Sequence, residues 1–83
     1  MKSFVIGQTV TIADAGLVYP FCEPAAKQFG LTGYRPGAGL GVQDGTTGTV
    51  KAIPTYFDAG NVTLMGIALT SGIEVVVDVE GVV

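Results

Sequence analysis

Eighty-three residues with a net charge of −3, one cysteine and no histidine or tryptophan make one small domain. That composition excludes an intramolecular disulfide, a cysteine-based zinc cluster and histidine general-base chemistry. Only 13% of the residues are charged while 48% are apolar, against about 25% charged in an ordinary soluble domain, so the deficit falls on the surface.

In chain order, Gly7-Gln8 reads as a turn and Thr9–Ala13 as a first strand, with Val10 and Ile12 opposite Thr9 and Thr11. Asp14-Ala15-Gly16 closes that strand. Residues 19–34 hold the helix signal. Pro24 suits a first helical turn, where its missing N–H is an orphan anyway. Ala25, Ala26, Lys27 and Gln28 favour helix, and Gly30 is placed to end it with a positive φ. Two turns at most form, so the piece depends on docking, which is assigned to Phe21 and Phe29 with Tyr19 or Leu31. Residues 33–48 are Gly-rich and aperiodic, a loop in which Leu40 and Val42 form a short strand or an anchor and Asp44-Gly45 a tight turn. Residues 14–47 thus form one large insertion between the first strand and the second.

From Gly48 the pattern becomes regular. Val50 and Ala52 share a strand face opposite Thr49 and Lys51, and Pro54 marks an edge or a bulge because proline cannot donate to a ladder. Tyr56 and Phe57 stand on the turn that Asp58-Ala59-Gly60-Asn61 completes. Alternation resumes with Val62, Leu64 and Gly66 against Thr63, Met65 and Ile67. After Thr70-Ser71-Gly72 it resumes again with Ile73, Val75 and Val77 against Glu74, Val76 and Asp78. Because side chains alternate across a strand, this predicts a three-stranded antiparallel meander. Val79 to Val83 is expected to add a short final strand.

No constellation for catalysis, cofactor or metal is found. Gly37-Ala38-Gly39-Leu40-Gly41 has Val42 where a dinucleotide loop needs its third glycine, and no helix follows. The carboxylates of Asp14, Asp44, Asp58, Asp78 and Glu80 lack the spacing of a calcium loop apart from Asp78 and Glu80, and read as turn and solubility residues. Cys22 reads as a buried filler, and Asn61-Val62-Thr63 as a hairpin turn, since residues 1–13 form no signal peptide. No run approaches the ~20 apolar residues of a membrane span. Four basic residues, Lys2, Lys27, Arg35 and Lys51, are too few for nucleic acid, which typically needs about six to ten phosphate contacts. A low-charge surface on a small domain points instead to burial against a protein partner or further copies. Tyr34, Arg35, Leu40, Tyr56 and Phe57 are the residues assigned to that interface, with core packing the competing role for the aromatics.

Gly7-Gln8-Thr9-Val10-Thr11-Ile12, Gly48-Thr49-Val50, Gly66-Ile67-Ala68-Leu69 and Glu74-Val75-Val76-Val77 together resemble a small SH3-like barrel of the KOW type. Small phage-encoded proteins with such barrels look similar, including a helical insert like Tyr19-Pro20 to Gly33-Tyr34. The resemblance implies a mostly β fold, an antiparallel barrel of about five strands whose short helix lies in the insertion between strands 1 and 2. It also implies a non-enzymatic virion component that decorates or cements a capsid, with the major capsid protein or copies of itself as partner, in the virion or the host cytoplasm. The alternative it implies is a KOW-like regulator binding RNA, ribosome or polymerase. KOW modules carry basic residues before the "G-x-V" strand, but Gln43-Asp44-Gly45-Thr46-Thr47 has none.

Overall fold

The computed structural model describes residues 3–83; Met1 and Lys2, one of the four basic positions, lie outside the described residues. Five antiparallel strands form one sheet in the order β1-β3-β4-β5-β2: β1 Thr9–Ile12, β2 Val18–Tyr19, β3 Thr46–Phe57, β4 Val62–Leu69 and β5 Glu74–Asp78. A helix, α1, spans Glu23–Phe29, and 3₁₀ turns occupy Ala15–Leu17 and Val79–Gly81.

The predicted meander is β3–β4–β5. Its first hairpin turns through residues 58–61, where the Asn61 N–H meets the Asp58 carbonyl at 3.2 Å and Asn61 itself adopts φ 52°. Asparagine tolerates that left-handed geometry better than most residues. Register places Val50 opposite Ile67 and Ile67 opposite Val75, with Met65 opposite Val77 and Val77 opposite Val18. These side chains, with Val10 and Ile12 of β1, line the concave face of a curled half-barrel and are almost completely buried. Burying each one contributes about 1.5–3 kcal/mol.

The convex face has its own cover. α1 lies against β4 and β5, burying Ala25 and Ala26. Gly30 ends the helix at φ 69°, and the Leu31 N–H reaches back 3.0 Å to the Ala26 carbonyl. That reversal drops the Leu31 side chain onto Gly66, where an added Cβ would stand 3.0 Å from Leu31 Cδ2 and 3.2 Å from the Ala52 methyl. Residues 64–67 and 75–77 are therefore buried on both faces. Alternation gives the strands but not how many of their faces are covered; the helix covers the second.

Several expectations need correction. Val18 and Tyr19 pair with Val77 and Val76, so the helix follows the second strand instead of lying between the first and the second. Two residues are too short for alternation to show, and their strand character comes from β5. Phe21 precedes the helix and is 71% exposed, so it does not dock it. Phe29 does, meeting Phe57 edge to face with centroids 5.6 Å apart. Tyr56 and Phe57 end β3 and do not form the turn. Leu40 lies in a turn and Val42 in irregular chain, so neither forms a strand; Val42 packs against the core as an anchor. The last residues form a 3₁₀ turn in place of a full strand. Val82 then bridges Ile12, and Val83 exchanges backbone hydrogen bonds of 2.8 and 2.9 Å with Thr11. The chain end thus covers the outer edge of β1.

Candidate protein interface

Between β1 and β3 the insertion runs out and then folds back on itself. Pro20 cannot continue the β2 ladder, and its carbonyl becomes an anchor, accepting the Gly37 N–H at 2.8 Å and the Tyr34 hydroxyl at 3.1 Å. Gly39, at φ 93°, presses so closely on Val18 that a Cβ there would sit 2.4 Å from Val18 Cγ1. Farther along, the Asp44 carboxylate accepts the Ala15 N–H at 2.8 Å. Residues 37–44 therefore run back along residues 20–15 and are tied to them at both ends and in the middle. Glu74 pins the base of the lobe, accepting the Gly33 N–H at 2.7 Å.

Of the five residues assigned from sequence to an interface, the structure exposes three. Leu40 is 66% exposed and Tyr56 57%; the Tyr56 hydroxyl is held by Asn61 Oδ1 at 2.8 Å. Arg35 is exposed, and its Nη1 donates to the carbonyls of Tyr34 and Thr32 at 2.9 and 3.3 Å. It staples its own turn. Tyr34 is 8% exposed and packs with the core. Burial pushes its phenol above the ordinary value of 10.0, and the nearby Cys22 and Glu23 charges act in the same direction against a favourable Cys22 backbone contact. Phe57 is half-buried on Phe29. Cys22, read as buried, is half-exposed at the start of the helix.

The residue that sequence reasoning missed is Phe21. Its ring and the Leu40 side chain flank Gly37: a Cβ on Gly37 would meet Leu40 Cδ1 at 3.5 Å and Phe21 Cε1 at 3.9 Å. No local signal marked it: an apolar residue just before the N-cap often packs onto the fourth helical residue, whereas Phe21 stays exposed.

Two other surfaces are weaker. β1 pairs with β3 only over residues 46–49, and the Gln8–Val50 and Gly7–Val50 contacts end the cover. The rest of β3 has an open edge bearing the exposed Ile53. Pro54, exposed Lys51 and the register shifts between Val50 and Ala52 and between Ala52 and Thr55 blunt that edge against strand addition. An open groove of about 410 Å³ lies between α1 and residues 30–36, floored by Ala26, Gly30, Leu31, Tyr34 and Pro36. Its rim carries the Lys27–Glu23 pair at 3.4 Å. The Tyr34 hydroxyl is turned away to Pro20, so the groove offers no set of converging polar groups to orient a ligand.

Among the described residues no group of three metal-ligating side chains comes together, and no helix is long and apolar enough to cross a membrane. No protein-family model, curated protein or solved structure matches the chain.

Proposed function

We propose that the chain is a non-enzymatic interaction module, a virion component that decorates or cements a capsid by burying low-charge surface against larger subunits. One observation carries this reading: Phe21 and Leu40, 71% and 66% exposed, stand side by side on a lobe tied down at several points. Large apolar groups held rigidly in water cost free energy unless something covers them, and a pre-ordered anchor loses little entropy on docking. The SH3-like reading of the barrel draws support from the β3–β4–β5 meander, the turn at Val79–Gly81 and the return of Val82 to β1. The KOW-like regulator reading gains nothing from the fold, which leaves Lys27, Arg35 and Lys51 on separate elements.

The test is quantitative mass spectrometry of virus particles banded from the source. The chain is expected in the particles at a copy number that scales with the shell subunit. Particles that lack it reject the virion role.

A further inference from the structure

The lobe formed by residues 14–21 and 37–44 has two chemically different ends. At one end Phe21 and Leu40 bracket Gly37. At the other, Asp14 and Asp44 meet at the Ala15–Gly16 turn: Asp44 Oδ1 accepts the Ala15 N–H at 2.8 Å and Asp14 Oδ1 the Gly16 N–H at 2.9 Å. Both aspartates are exposed. The one ion pair among the described residues is Lys27–Glu23 on α1, so neither aspartate has a cationic partner among the described residues. Gly39 lying on Val18 fixes the two ends relative to each other.

Deepening the interaction-module reading above, on which it rests, we propose that this lobe is the docking surface and that its occupant is a protein surface with an apolar pocket flanked by lysine or arginine. Charge complementarity argues for that chemistry. Apolar contact supplies the affinity, while the two carboxylates at the other end of the same lobe, unpaired among the described residues, favour basic groups on the partner there and disfavour acidic ones. They also disfavour a second copy of this chain, whose net charge is −3. Area points the same way. Fully burying an aromatic ring removes about 150–250 Å², so Phe21 with Leu40 stays well below the ~800 Å² per partner of a standard interface. The pair is an anchor for a pocket, not a dimer face.

The probe is a short fluorescein-labelled peptide alternating leucine and lysine, compared with one alternating leucine and glutamate, in fluorescence anisotropy with the full chain. The leucine–lysine peptide is expected to bind more tightly, and added salt to weaken it. The Phe21→Ser/Leu40→Ser variant should bind it about tenfold more weakly or worse. Asp14→Asn/Asp44→Asn keeps an oxygen acceptor for each turn N–H, so it should fold and lose most of the salt dependence. Ile53→Ser, on β3 outside the lobe, should bind like the parent chain, and melting curves of all three variants confirm that they are folded. Equal binding of both peptides, or undiminished binding by folded Phe21→Ser/Leu40→Ser, overturns the proposal. So does a concentration-dependent dimer in sedimentation that this variant abolishes, which would make a second copy the occupant. Peptide binding is independent of particle composition. The docking surface can therefore stand where the virion role fails, and the reverse.

Discussion

Tyr34 is where a single side chain joins the two halves of the insertion. Its hydroxyl donates to the Pro20 carbonyl, and its ring lies in the core beside α1. Tyr34→Phe keeps the ring and removes the hydrogen bond, so an expected loss of about 0.5–1.5 kcal/mol should appear in urea melts. The same group sets an alkaline limit. Burial holds the folded phenol above 10.0, so the unfolded chain releases its proton first. The Tyr34 contribution is therefore complete below about pH 10, where a free tyrosine ionises, and is lost as pH rises through the higher folded value. Stability measured against pH should fall less steeply above pH 10 in Tyr34→Phe than in the parent chain. Gly39 is a second such residue. Any side chain there meets Val18 and also demands a positive φ, so Gly39→Ala should destabilise the lobe by about 1–3 kcal/mol.

At the scale of elements, α1 is too short to persist without its contacts. What holds it is Leu31 over Gly66 together with Phe29 on Phe57, not the exposed Lys27–Glu23 pair. Leu31→Ala should cost about 2–4 kcal/mol in thermal or chemical melts. Lys27→Ala should change stability by under about 0.5 kcal/mol, since exposed i,i+4 pairs contribute little. The terminal segment follows the same logic. Val82 is fully buried and bridges Ile12. Removing Val82 and Val83 uncovers the outer edge of β1 and is expected to lower the melting temperature and promote association through that edge. Sedimentation velocity of the truncated chain checks both the fold and the association.

For the whole molecule, most of the few carboxylates have structural duties. Carboxylates are used for geometry before they are used for solubility. Asp14 and Asp78 cap 3₁₀ turns, Asp44 ties the lobe, and Glu74 pins residue 33. The remaining protection against association is a net charge of −3, which vanishes near pH 4.4. Solubility should pass through a minimum there, and added salt should not restore it, because the apolar surfaces at Phe21, Leu40 and Ile53 remain. Light scattering against pH tests this directly.

How much was readable in advance differs between parts of the chain. Alternation from Gly48 to Asp78 carried the meander, because side chains alternate across a strand, while Pro54 and the Gly- and Asn-bearing turns marked its interruptions by their own backbone chemistry. Pro24 and Gly30 carried the helix and its end for equally local reasons. The aromatics were not readable in this way: Phe21, Tyr34 and Phe57 have similar chemistry but lie outside, inside and half-way between. Their places depend on the Pro20 carbonyl gathering Gly37 and Tyr34, on the helix crossing the convex face, and on the chain end returning to β1. Local sequence by itself determined the strands of the meander and the start and end of the helix, since steric limits and period act over a few residues. Only the tertiary structure decided which surfaces are covered, because burial is a property of segments far apart in the chain meeting in space.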